Sequence, residues 1–91
     1  MIVRAHYKTS GEASSGEEAD IWFEFEGLEP KRQVTRVGER WLCSLDEWDE
    51  DVGMLLTDQA LQPGEFLDEE TIHADEFELA WVHAVEARAA Q

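Results

Sequence analysis

The hydrophobic period of this chain changes once, near residue 44, and that change limits the folds open to it. Before it, apolar and polar residues alternate. In IVRAHYK (2–8), Val3, Ala5 and Tyr7 share one face and Arg4, His6 and Lys8 the other. In DIWFEFEG (20–27), Ile21, Phe23 and Phe25 lie opposite Trp22, Glu24 and Glu26. A period of two is that of a strand with two distinct faces. KRQVTRV (31–37) and RWLCS (40–44) flank Gly38-Glu39, a two-residue hairpin turn with glycine first. TSGEASSGEEA (9–19) is small, polar and glycine-punctuated, so a flexible hairpin loop is expected there, and a turn from Gly27 to Pro30. Four antiparallel strands in a meander are the simplest arrangement.

Beyond residue 44 the period lengthens. Ser44 and Glu47 have capping-box spacing, which predicts a short helix from Leu45, interrupted by Gly53. MLLTDQAL (54–61) reads as a short extended or irregular segment, and Gln62-Pro63-Gly64 breaks the chain. From His73, Phe77, Ala80, Trp81, Ala84 and Val85 recur at helical spacing and make one apolar stripe. Asp75 and Glu76 fall in the first turn and Arg88 in the last, as the helix dipole favours; His73 stands at the start, placed to cap it. The expectation is one acidic α+β domain over residues 1–91. It is an antiparallel β-meander of about four strands packed by a C-terminal α-helix, with a short acidic helix or loop region between.

Charge is the extreme property. Seven Lys+Arg face 22 Asp+Glu, a formal −15. Residues 1–40 hold six bases and eight acids, whereas residues 41–91 hold one base, Arg88, and 14 acids. Such a field repels nucleic acid and anionic membrane and attracts basic protein surfaces; it also keeps a small protein soluble. Four Trp and four Phe supply large anchors, so the chain is expected to fold despite its charge. A lone cysteine, Cys43, leaves no internal disulfide and no zinc knuckle, and a core or half-buried thiol is the expectation. MIVRAHYK lacks the basic-then-apolar layout of a signal peptide, and no apolar run reaches membrane-spanning length. A soluble, cytoplasmic protein is expected.

The segments WFEFEG, RQVTRVGERW and LLTDQAL, then an acidic turn leading into FELAW, resemble small, acidic, mostly uncharacterised bacterial proteins of immunity-protein-like type. The likeness spans about residues 20–85 and is carried by Phe23, Phe25, Arg32, Val34, Gly38, Trp41, Asp58, Phe77 and Trp81. SLDEWDEDVG (44–53) departs from that pattern. What the resemblance implies is the α+β frame and a role as an antidote to a toxin.

The common reaction chemistries lack their residues. With Gly53 at the sixth position of a calcium loop, Trp48, Glu50 and Val52 occupy positions one, three and five and Gln59 the twelfth, so the ligand pattern fails. A paired-carboxylate site is no signal among 22 acids, and a metal-dependent nuclease needs bases that residues 41–87 do not contain. His6, His73 and His83 have no metal-ligand spacing. His6 is expected on the polar strand face, solvated or paired across strands, and His83 away from the Phe77–Trp81 stripe. The glycines give no phosphate loop, since Glu17 follows G-x-x-x-x-G at 11–16 where a lysine is required. Arg32 and Arg36 are expected to pair with Glu24 and Glu26 across strands. No catalytic residue, metal or cofactor is expected, and no direct nucleic-acid contact.

Three carboxylate clusters remain as a partner-binding surface. They are Asp46, Glu47, Asp49, Glu50 and Asp51; then Glu65, Asp68, Glu69 and Glu70; then Asp75, Glu76 and Glu78. On so small a body they are expected near one another, with Trp48 as an interface anchor or, alternatively, a core residue. The function class expected is a non-enzymatic acidic binding or inhibitory protein that occupies a basic, nucleic-acid-binding site on a partner such as a nuclease. One version is a toxin-immunity antidote. Another is a phage-encoded nucleic-acid (DNA) mimic, anti-CRISPR or anti-restriction, and a third is a small structural protein charged for solubility.

Overall fold

The computed structural model describes residues 3–13 and 15–90. Four strands, β1 (Arg4–Glu12), β2 (Glu18–Glu26), β3 (Glu29–Val37) and β4 (Arg40–Cys43), form an antiparallel sheet in the order β1-β2-β3-β4, the expected meander. A two-residue hairpin, β5 (Trp48–Asp49) with β6 (Gly53–Met54), follows, and helix α1 (Ala74–Ala89) closes the chain. The fold is α+β.

The first hairpin is longer than its sequence suggested. Residues 9–12 and 18–19, expected in a loop, pair as Thr9↔Ile21 through Glu12↔Glu18. A polar ladder extends it: Ser10 donates to Asp20 Oδ1 at 2.6 Å. At the β3–β4 turn Gly38 has φ 58, a left-handed conformation that costs glycine little, and it stands first in the two-residue turn as expected.

Both faces of the sheet are covered. Helix α1 lies on the face that carries Trp22, Glu24, Val34 and Cys43; Phe77, Ala80 and Ala84 are buried against it, with Trp41, Ile72, Trp81 and Val85 packed around. Cys43 is a buried free thiol. The opposite face carries Tyr7, Phe23 and Phe25, and the irregular segment after β4 folds over it. Phe66 stacks on Tyr7 at 4.3 Å and meets Phe23 and Phe25 at 5.2 and 6.1 Å. Gln33, buried, accepts the Thr57 N–H through Oε1 at 3.0 Å and fastens the middle of that segment to the sheet.

The short helix expected from Leu45 is not formed. The Ser44 hydroxyl that would cap it accepts the Gln33 N–H at 3.0 Å instead. Gly53, at φ 87, lets the chain reverse into β6, where Trp48 lies against it. Residues 55–61 are irregular apart from the fully buried Leu55, in line with expectation.

Candidate partner-binding surface

The register of β2 and β3 decides where the bases go. It sets Glu24 opposite Arg32 and Asp20 opposite Arg36. Arg32 donates from Nε and Nη2 to the two Glu24 oxygens, both at 2.7 Å, and from its other edge to Glu78 of α1. Its guanidinium lies 5.0 Å from the ring centres of both Phe77 and Trp81. Arg36 binds Asp20 and the Gly38 carbonyl, the latter at 2.7 Å. The expected Arg36–Glu26 pair is therefore absent: Glu26 sits opposite Glu29 and Arg4, and its cation is Arg4 at 3.4 Å.

His6 is buried, not solvated, and its Nε2 lies 3.0 Å from Glu24 Oε2. A cleft of about 470 Å³ opens beside this pair. The Arg32 contacts set the charge state of the carboxylate in this pair. The hydrogen bonds from Arg32 outweigh burial and, with His6, hold the Glu24 carboxyl at about 2, so it is ionised at neutral pH. Arg32 is pushed further into its charged form by Glu24 first and Glu78 second. The network clamps helix to sheet.

The remaining bases are also engaged. Lys8 lies over the Trp22 ring at 5.2 Å, and Lys31 is 3.4 Å from Glu29. Arg40 reaches Asp49 and Asp51, each at 2.7 Å, and Arg88 grips Asp46 at 2.9 and 3.1 Å. All seven Lys and Arg thus have a carboxylate or ring of this same chain.

The three acidic clusters fall into two groups, at opposite ends of α1. Arg88 ties Asp46, and with it the β5–β6 hairpin, to the C-terminal end of the helix. Glu65, Asp68, Glu69 and Glu70 precede the N-terminal end, where Asp75 and Glu76 occupy the first turn. At 1.5 Å per residue, Asp75 and Arg88 stand roughly 20 Å apart along the axis, so the clusters do not converge on one spot.

Within the first group the acids divide. Burial raises the Asp49 carboxyl, but the Asp51 N–H at 2.9 Å and Arg40 outweigh it, and its pKa lies below the ordinary value. Asp46, Asp49 and Asp51 are thereby structural, whereas the Glu47 and Glu50 side chains are exposed and carry no hydrogen bond or ion pair. Trp48 is 67% exposed, opposite the exposed Met54 in the hairpin. It is a surface ring, not a core residue. In the second group Glu65 and Glu70 accept the backbone N–H of Gln62 and Leu67, and Glu78 belongs to the Arg32 clamp. Asp68, Glu69, Asp75 and Glu76 face solvent.

Two histidines complete the picture. His73 holds the N-cap position of α1 without a side-chain cap bond. His83 lies off the buried seam yet stacks on Trp41 at 4.1 Å, and Trp41 stacks on Trp22, so this ring is part of the packing. Among the described residues, no group of His, Cys, Asp and Glu has a metal-holding arrangement, and no helix is long and apolar enough to cross a membrane.

No family model matches the chain, and no curated protein and no solved structure matches it significantly.

Proposed function

We propose that this chain is a non-enzymatic acidic binding and inhibitory protein whose carboxylate surface occupies a basic, nucleic-acid-binding site on a partner protein, as an immunity-type antidote does for a nuclease toxin. The observation that carries this reading is the fate of the bases. All seven meet a carboxylate or ring of this same chain, so no Lys or Arg among the described residues stands free against the excess of 15 negative charges. A single-signed field of this kind repels phosphate and steers a basic protein surface into contact. Trp48, exposed between Glu47 and the Arg40-bound Asp49, supplies an aromatic anchor of the kind that dominates interface energetics. A nucleic-acid mimic would act through the same field, and genome neighbourhood separates it from an antidote.

The test is capture from the native host, with release by duplex DNA as competitor. The expected partner is basic, leaves the bait when DNA is added, and associates more slowly as salt rises. Replacing Glu47, Glu50, Asp75 and Glu76 by their amides removes four solvent-facing charges without touching an ion pair. If that variant captures the partner as well as the parent does, the charge serves solubility alone and the reading is wrong.

A further inference from the structure

An apolar concavity lies away from the Trp48 hairpin, at the opposite end of the sheet. There the β2–β3 turn meets the segment that covers the Phe23 face. The Leu61 N–H donates to the Leu28 carbonyl at 2.9 Å, which pins that segment to the turn. Tyr7 and Phe66, stacked nearly parallel, form one wall, and Leu28, Leu61 and Pro63 form the rest, around a groove of about 270 Å³ with Glu65 on its lining. Leu28 is 64% exposed. Val3, whose carbonyl accepts the Gly27 N–H, and Leu67, which follows Phe66, are exposed to a similar degree. Of these three, Leu28 lines the groove itself, while Val3 and Leu67 are joined to its surroundings through the backbone. A lone exposed leucine would need no account; one that lines a hollow with Tyr7, Phe66, Leu61 and Pro63 has the pattern of a binding site.

We infer that this groove is an anchoring pocket for a basic protein partner: it receives a bulky apolar side chain whose neighbours are Lys or Arg. The volume falls below the roughly 300–1,000 Å³ of sites for drug-sized molecules and suits one or two side chains. Charge complementarity sets the flanking chemistry. Glu65 lines the groove, and the solvent-facing Asp68 and Glu69 follow it in the next turn. Those same acids argue against a second copy of this chain as the occupant, because self-association through this end would bring like charges together on bodies that each carry −15. The inference rests on the binding role proposed above and adds to it the place where apolar contact is made.

The experiment is an amide-resonance titration of the full chain with three amidated hexapeptides: Lys-Lys-Leu-Trp-Lys-Lys, Lys-Lys-Ser-Ser-Lys-Lys and Glu-Glu-Leu-Trp-Glu-Glu. The first is expected to shift Leu28, Leu61, Phe66 and their neighbours in a saturable way, and the third to leave them unmoved. Leu28→Ser, at a position open enough to spare the fold, should weaken the first peptide roughly fivefold. Asp68→Asn with Glu69→Gln should weaken it and reduce its salt dependence. If the first two peptides bind alike, or shift only the Trp48 hairpin, the groove is not the anchor, while the acidic binding role stands. Concentration-dependent shifts at the groove without peptide, abolished by Leu28→Ser, would make a second copy its occupant and overturn the proposal. Loss of native-partner capture in the four-amide variant, together with full capture by Leu28→Ser, would retain the proposed function and reject the groove.

Discussion

Replacing Arg32 by Met isolates the clamp between sheet and helix. The new side chain keeps the length of the stem and removes five donors. Glu24 is only 3% exposed and loses both of its 2.7 Å contacts, keeping His6 at 3.0 Å and Arg4 at 3.8 Å. Removing one partner of a buried pair costs about 3–5 kcal/mol. The lower end applies here, since His6 and Arg4 remain beside the carboxylate. The expected loss at pH 7 is about 3 kcal/mol, a fall of roughly 12–20 °C in melting temperature for a domain of this size. The pH dependence identifies the cause. In the parent, the Glu24 carboxyl is lowered from 4.5 to about 2, so its contribution is complete above pH 4.5 and disappears as pH falls through 2. That shift corresponds to roughly 3 kcal/mol. In Arg32→Met the largest lowering cause is gone while burial remains, so the carboxyl moves upward and the parent's advantage shrinks as pH falls. The gap between parent and variant should therefore narrow from pH 7 to pH 4. The assay is urea unfolding followed by tryptophan fluorescence at both pH values. Adding Glu24→Gln should recover at least half of the loss, because no buried charge is then left alone. A gap equal at both pH values, with no recovery in the double variant, would refute the clamp and leave ordinary packing as the explanation.

Phe77→Ala should cost about 4 kcal/mol and Trp81→Ala about 3, since Phe77 is fully buried and Trp81 only half so; thermal melts that reverse this order would mean the seam is misplaced. Gln33→Leu should cost about 1–2 kcal/mol by stranding the Thr57 N–H, and hydrogen exchange at Thr57 should accelerate before any other residue of the covering segment. Asp49→Asn should destabilise by about 1 kcal/mol because it weakens the Arg40 contact, whereas Glu50→Gln should leave unfolding unchanged; equal effects would deny the structural role given to Asp49. Millimolar Ca²⁺ should leave the melting temperature unchanged, and a rise of several degrees that Glu50→Gln abolishes would make the 44–53 stretch a cation site.

The strands, the glycine-first turn and the helical seam were legible because each has a local cause: period two, a left-handed residue, period 3.6. The helix-bearing face was not legible, because hydrophobicity favours Ile21, Phe23 and Phe25 while α1 takes the face of Trp22 and Glu24. A signal for this did exist. Glu24 and Arg32 are equidistant from residue 28, and so are Asp20 and Arg36, so a hairpin centred there pairs both on one face. Once the charges neutralise each other, that face, with Trp22 and Val34 between them, can be buried. Pairing Arg36 with Glu26 instead broke this symmetry. The Trp48 hairpin was hidden for another reason: Ser44 serves as an acceptor for a neighbouring strand, a tertiary contact that local capping chemistry does not report.

The internal ladder and the external field have one origin. Covering the Trp22–Glu24 face with α1 requires cations on β3, and Arg32 and Arg36 meet that requirement in place. Arg40 and Arg88 hold the Trp48 hairpin and the helix end through Asp49, Asp51 and Asp46. The bases are consumed where they hold the fold together, which leaves Glu47, Glu50, Asp68, Glu69, Asp75 and Glu76 facing solvent with no counter-charge. Salt then acts differently on the two populations. The Glu24–Arg32 pair, largely withdrawn from solvent, is screened little, whereas the surface field is screened within about 8 Å at physiological ionic strength. Added salt therefore relieves self-repulsion and preserves the clamp while it removes the long-range attraction on which partner encounter depends.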